Sequence, residues 1–211
     1  MEKADNSIIR IAVLVSGNGT NLQAIIDAQA KDSLGPCEVK LVISDNPEAR
    51  ALRRAREAGI PVKVVEKKQG MPREVFDGLL REEIVREKID LIVLAGFMRV
   101  LGEKFVREFK GRIMNIHPAL LPCFKGTSAI EDAFNYGVKV TGVTVHFVDE
   151  GVDSGPIIAQ REVRIEKSDT IGTLEEKIHR TEHELYPEAI RYFAEGKLKI
   201  EGRKVKVISK K

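Results

Sequence analysis

A side-chain amide and an imidazole stand two residues apart in Asn115-Ile116-His117-Pro118, directly after an apolar run. On an extended strand such residues project from the same face. Asn115 would offer a fixed N–H donor, and His117 a proton that exchanges near neutral pH. That pair suits a reaction in which an oxygen gains charge while a proton moves. For a lone histidine, packing beneath Pro118 and Pro122 is the commoner outcome, so this motif does not decide the matter alone.

Asp149-Glu150-Gly151-Val152-Asp153-Ser154-Gly155-Pro156 places three carboxylates among two glycines. The spacing does not match an EF-hand. A polar hairpin turn is the plain reading, and a carboxylate that orients His117 is the functional one. Earlier in the chain, Ser16-Gly17-Asn18-Gly19-Thr20-Asn21-Leu22 follows a strand and opens a helix. Glycines let the backbone approach an anion closely, and a helix N-terminus offers unpaired N–H groups. Leu22 stands where the dinucleotide fingerprint has its third glycine, and no Walker lysine follows, so a monophosphate fits better than NAD or ATP. The alternative is a tight turn with Asn21 as helix cap. Finally, Glu182 shares a helix face with Ile178 and Leu185, and a carboxylate there needs a partner. A structural arginine, a substrate amine and a ribose hydroxyl are equally open.

These residues need elements to hold them. Strands are expected at Ile9–Val15, Val39–Ile43, Val62–Val65, Asp90–Leu94 and Ile113–Ile116. Helices are expected at Asn21–Ala30, Ala49–Ala58 and Pro72–Lys88. The alternation means βαβ units and a mostly parallel sheet, with the charge-free core of Asp90–Leu94 at its centre. Gly142–Val148 alternates and Pro156–Val163 looks like its hairpin partner. Thr173–Glu195 reads as a long final helix with Leu174, Ile178, Leu185, Ala189 and Phe193 on its apolar face. The expected fold is therefore α/β: a Rossmann-like twisted sheet with helices on both faces, to which the C-terminal half adds an antiparallel strand and the long helix. Ligands should lie beyond the C-terminal strand ends.

Composition narrows the class. A chain of 211 residues suggests one domain, 1–211, with a nucleotide-binding half at about 8–110 and a catalytic half at about 111–200. Hydrophobic residues are 43% and charged residues 32%, which excludes a disordered or membrane-embedded chain. The net charge of +3 comes from bases interleaved with acids, so no nucleic-acid stripe is present. The basic tail from Arg203 to Lys211 reads as a solvated terminal strand. Met1 to Asp5 carries no apolar signal core, and the only cysteines, Cys37 and Cys123, need no disulfide, so a cytoplasmic protein is expected.

From about Ile9 to Leu198 the chain resembles the glycinamide ribonucleotide formyltransferases of the folate-dependent formyltransferase superfamily. The resemblance rests on Val15–Ile25, Leu94-Ala95-Gly96-Phe97-Met98-Arg99-Val100-Leu101, Asn115-Ile116-His117-Pro118, Val145–Pro156 and Thr181-Glu182-His183-Glu184-Leu185-Tyr186-Pro187. It implies that Asn115, His117 and Asp153 form a catalytic trio. It implies that Gly17, Asn18, Gly19, Thr20, Asn21 and Glu182 bind the ribonucleotide. It also implies that Arg73, Met98, Arg99, Val100, Leu101, Asn115, Asp149 and Val152 line the folate pocket. Some members carry a histidine at Ser128, which leaves the part played by Lys125–Ser128 open, and Cys123 is expected to be incidental.

The implied reaction is direct formyl transfer from 10-formyltetrahydrofolate, a cosubstrate, to the amine of glycinamide ribonucleotide. No metal, nucleic acid or membrane is implied, and the protein is expected as a monomer or weak homodimer. Three rivals follow. A formyltetrahydrofolate hydrolase should carry an N-terminal regulatory domain, and a transfer-RNA formyltransferase a C-terminal RNA-binding domain; neither is expected here. A non-catalytic nucleotide-binding module predicts no turnover.

Overall fold

The computed structural model describes residues 8–208. The reading of Met1 to Asp5 and the end of the basic tail at Lys210 and Lys211 fall outside these. The chain runs β1 (Ile9–Val15), α1 (Thr20–Ala30), β2 (Cys37–Ser44), α2 (Arg50–Glu57), β3 (Val62–Val64), α3 (Arg73–Arg86), β4 (Leu91–Leu94), α4 (Glu103–Glu108), β5 (Ile113–His117), α5 (Ala129–Tyr136), β6 (Val140–Phe147), β7 (Ile157–Arg164), α6 (Ile171–Ala194), β8 (Leu198–Glu201) and β9 (Lys204–Val207). One nine-stranded sheet takes the order β3-β2-β1-β4-β5-β6-β7-β9-β8. The strands from β3 to β5 are parallel, β6 runs antiparallel to both β5 and β7, and β8 runs antiparallel to β9.

Unbroken apolar strands follow from burial on both sides. Along β1, Ile11, Val13 and Val15 face a core built with Leu22 and Ile25 of α1, Leu52 of α2 and Leu174 and Ile178 of α6. Ala12 and Leu14 face a second core with Phe76 and Leu80 of α3 and Phe105 of α4. The two-residue period of a strand thus feeds two hydrophobic layers, each fully buried aliphatic contributing roughly 1.5–3 kcal/mol.

The expected elements form, with ends that local chemistry adjusts. The last helix begins at Ile171, before the expected Thr173, because Thr170 and Thr173 close a reciprocal capping box. Pro187 sits inside this helix. One residue earlier, the buried Tyr186 hydroxyl donates to the carbonyls of Leu94 (2.9 Å) and Met114 (3.0 Å), which pins α6 onto β4 and β5. Burial pushes that phenol well above its usual range. Asn21 does not cap α1: Gly19 is the N-cap, with no side-chain cap bond, and the Asn21 amide turns elsewhere. The short helices α4 and α5 and the strand β8 are additions to the sequence reading; α4 is too brief to show a helical period.

The tail forms strand β9, and Lys199 and Lys206 both pair with Glu201, so its charge is partly answered within the hairpin. Burial pushes the Cys37 thiol up to about 12, an inert structural side chain. Cys123 is exposed. No helix among the described residues is long and apolar enough to cross a membrane.

Candidate active site

The direction of strand succession reverses between β1 and β4, so the loops after these strands part and leave a crevice. A cavity of about 710 Å³ opens there, at the C-terminal ends of β1, β4 and β5. Asn115, His117 and Asp153 line it, as do Gly17 to Asn21, Glu182, Met98 to Leu101, Asp149 and Val152. Arg73 is absent from the lining. It opens α3, and its Cδ lies 3.4 Å from where a Cβ on Gly102 would stand. There it lowers the neighbouring Asp77 carboxyl, which burial raises more strongly. Cys123 does not reach the cavity either.

The trio is assembled from two kinds of backbone. Asn115 and His117 lie on β5 and pair across the ladder with His146 and Thr144 of β6. Asp153 lies on the turn between β6 and β7 and adopts φ of 47°, a left-handed conformation that is uncommon outside glycine. That turn is tied internally: Asp149 Oδ1 accepts from the Gly151 N–H (3.1 Å) and the Ser154 hydroxyl (2.5 Å). A Cβ on Gly155 would stand 1.8 Å from the Phe147 carbonyl oxygen, so only glycine fits there.

His117 is buried, and both of its nitrogens have neighbours. Nε2 lies 2.7 Å from the Phe124 carbonyl oxygen, which can only accept, so Nε2 carries a hydrogen. Nδ1 lies 3.4 Å from Asp153 Oδ2, and that oxygen also accepts from the Gly126 N–H at 3.0 Å. The exchangeable proton of the ring therefore sits at Nδ1, beside the carboxylate. The Lys125–Ser128 loop also gains a role, since Gly126 supplies the amide that fixes Asp153. Gly126 has φ of 94°, which favours glycine.

His146 completes the group and was not anticipated. Its Nδ1 lies 2.9 Å from the Phe147 carbonyl oxygen, so Nδ1 bears the hydrogen. Burial, the dominant cause, pushes the ring below its ordinary range, and it is neutral. Nε2 is then a lone pair, which accepts from the Asn115 amide at 3.2 Å. This fixes the orientation of Asn115 and leaves its second N–H for the cavity. The 3.8 Å approach of His146 Nε2 to Asp153 Oδ1 is not an ion pair, because the ring carries no charge. Only the cross-strand register brings His146 to Asn115, so no signal within the sequence pointed to it.

The glycine loop is braced from behind. The Ala51 N–H donates to the Gly17 carbonyl (3.1 Å), and Arg54 Nε donates to the Asn18 carbonyl (2.9 Å). Gly19 has φ of 75°, and a Cβ on it would stand 2.6 Å from Ala51 Cβ, whereas one on Gly17 would meet open space. Among the described residues nothing accepts from the N–H groups of Gly17, Asn18 or Gly19. Such a set of free amides at a helix start suits an anion. Within the chain, the partner of Glu182 is not the structural arginine considered from the sequence. Its Oε2 accepts from Asn21 Nδ2 (3.1 Å) and approaches His179 Nδ1 (2.8 Å).

The opposite end of the cavity is apolar and open. Met98, Val100 and Val152 are 64%, 59% and 57% exposed and form an apolar group on the lining of the cavity. Arg99 is fixed at this mouth by Asp45 Oδ2 at 2.5 Å. A ligand with an apolar face fits this mouth. Among the described residues no group of His, Cys, Asp or Glu is placed to hold a metal ion.

Residues 9–190 match the family model described as formyl transferase. The phosphoribosylglycinamide formyltransferase of Bacillus subtilis (strain 168) is 41% identical over 182 residues, which cover 86% of this chain and 93% of that protein. The trifunctional purine biosynthetic protein adenosine-3 of Chironomus tentans is 45% identical over 90% of this chain, but the match spans only 14% of that larger protein. Among solved structures, glycinamide ribonucleotide transformylase 1 of Symbiobacterium toebii superposes with a TM-score of 0.92 at 47% identity, covering 96% of this chain and 95% of that one.

Proposed function

Because the chain belongs to the formyl transferase family, we propose that it transfers the formyl group of 10-formyltetrahydrofolate to the amine of N1-(5-phospho-D-ribosyl)glycinamide. The products are N2-formyl-N1-(5-phospho-D-ribosyl)glycinamide and tetrahydrofolate, a step of de novo purine biosynthesis. The observation that carries this reading is one cavity with two unlike ends: free loop amides for a phosphate at one, an open apolar mouth at the other, and Asn115, His117 and Asp153 between them. The reaction is read as cytoplasmic and as involving small molecules alone.

In this account the loop amides of Gly17, Asn18 and Gly19 hold the phosphate, and Glu182 faces the ribose and glycyl end. Met98, Val100 and Val152 cover the folate, with Arg99 toward its anionic tail. Tetrahydrofolate is the leaving group, and its N10 must gain the proton that the amine loses. Asn115 donates its free N–H to the formyl oxygen as the amine adds and charge develops there. The charge of the doubly protonated His117 ring stabilises the same oxygen at short range. Asp153 holds the ring at Nδ1 and accepts the proton on its way from amine to N10, directly or through a water.

The test is ultraviolet detection of the folate product with the ribonucleotide present and absent. Product that appears only with the ribonucleotide supports the reading. Equal release without it would make the protein a formyl hydrolase, and no release would make it a binding module.

A further inference from the structure

The segment between β4 and α4 puts Met98, Val100 and Leu101 on the lining of the cavity, yet it has little structure of its own. Among the described residues, the backbone groups of Phe97, Arg99, Val100 and Leu101 make no hydrogen bond. The ties come from other segments. Near the start of the loop, the Met98 N–H donates to the Ser16 hydroxyl (2.8 Å), and Phe97 stacks on Phe76 of α3 with ring centres 6.4 Å apart. At its end, the Gly102 N–H donates to Asp77 Oδ2 (2.8 Å), also on α3.

Asp77 is a costly residue in that place. It is 7% exposed, and the inward side chains beside it on α3, Phe76, Leu80 and Ile84, belong to an apolar core. Burial pushes its carboxyl up, which the Gly102 N–H and the Arg73 and Lys67 charges only partly offset. Among the described residues Oδ1 has no hydrogen-bond partner. Packing alone would favour an apolar side chain here. Gly102 shows what the carboxylate does instead. Its φ of −75° and ψ of 155° suit any residue, so the backbone does not demand glycine. A Cβ on it, however, would stand 2.6 Å from Asp77 Oδ2. Two residues distant in sequence are thus matched to one close contact.

We propose that Asp77 is a positioning residue for the folate end of the cavity: through the Gly102 amide, its carboxylate fixes the loop that presents Met98, Val100 and Leu101. The proposal rests on the reading of that mouth as the folate site. A ligand that meets a loop already in place has less ordering to impose, so the grip should be felt in folate affinity. The chemistry at Asn115 and His117 and the binding of the ribonucleotide should not feel it.

The experiment compares kcat and both KM values, with thermal melting, for the full-length protein and its Asp77→Asn, Asp77→Ala, Gly102→Ala and Asp77→Ala/Gly102→Ala variants. Asp77→Ala should raise the folate KM about tenfold, the scale of one hydrogen bond to a charged group, with kcat and the ribonucleotide KM within about twofold. Asp77→Asn keeps an oxygen that can accept from Gly102, so its folate KM should stay within about twofold of the unsubstituted value. Gly102→Ala displaces the carboxylate without altering α3 and should raise the folate KM as Asp77→Ala does; where Asp77→Ala melts too low to assay, this variant carries the comparison. The double variant should be no worse than either single one, since both break the same contact. A level folate KM in Gly102→Ala, a rise in Asp77→Asn equal to that in Asp77→Ala, or a common shift of kcat and both KM values overturns the role of Asp77 while leaving the formyl transfer intact. Absence of ribonucleotide-dependent turnover in the unsubstituted protein overturns both.

Discussion

Asn115 and His117 are carried by a strand, whereas Asp153 is carried by a turn, and the two are held by different physics. On β5 the register with β6 places Asn115 against His146, and buried layers on both sides leave no second arrangement. The turn has no such layers. It holds Asp153 in a left-handed conformation by short polar contacts, from the Gly126 amide outside and the Asp149 carboxylate within. A hydrophobic sheet fixes a group through many weak contacts that are hard to remove singly. A polar turn fixes one through a few bonds, each of which matters. In the proposed proton relay the carboxylate thus rests on a turn held by few contacts, 3.4 Å from Nδ1 of His117.

Breaking either side of the pair should produce the largest effects. His117→Ala and Asp153→Asn should each lower kcat at least about a hundredfold, the scale of an acid–base group, with folding checked by circular dichroism. Retention of more than half the activity by either variant would remove that residue from the mechanism. On the strand side, Asn115→Ala should cost about 3 kcal/mol, expressed in kcat more than in KM, since its N–H meets the oxygen best when charge has developed. Steady-state kinetics with a rise in KM alone would demote it to a binding residue.

The glycine loop extends the contrast. Gly17→Val enters open space and should raise the ribonucleotide KM by about tenfold at nearly constant Tm. Gly19→Val instead collides with Ala51 and forces a β-branched residue to positive φ, so thermal melting should show a loss of roughly 2–5 kcal/mol. Equal Tm values would contradict the packing described behind the loop. The smallest effect is expected at His146→Leu, which removes the acceptor that orients Asn115. A fall in kcat of about fivefold, near 1 kcal/mol, should vanish in an Asn115→Ala background. An undiminished effect there would give His146 a separate role.

Much of this was legible in the sequence because the signals were periodic. The apolar runs of β1 and β4 announced a two-sided sheet, and the spacing of Leu174, Ile178 and Leu185 announced α6 and set Glu182 on its inner face. Within the site, what stayed hidden depends on contacts between distant segments. His146 acquires meaning only through its register with Asn115. Gly126 is one backbone amide, with no side chain to read. Arg73, given a folate role by resemblance, is not among the residues lining the cavity; its side chain packs at Gly102, next to Leu101 of that lining.

The central claim is that strand-borne imidazole and turn-borne carboxylate act as one unit. The direct measurement is kcat of the double variant His117→Ala/Asp153→Asn beside both single variants. If the two form one proton path, the double variant should be no slower than the worse single variant by more than about twofold, since a broken unit cannot be broken again. A double variant whose loss equals the product of the two single losses would contradict the account and show that His117 and Asp153 work independently.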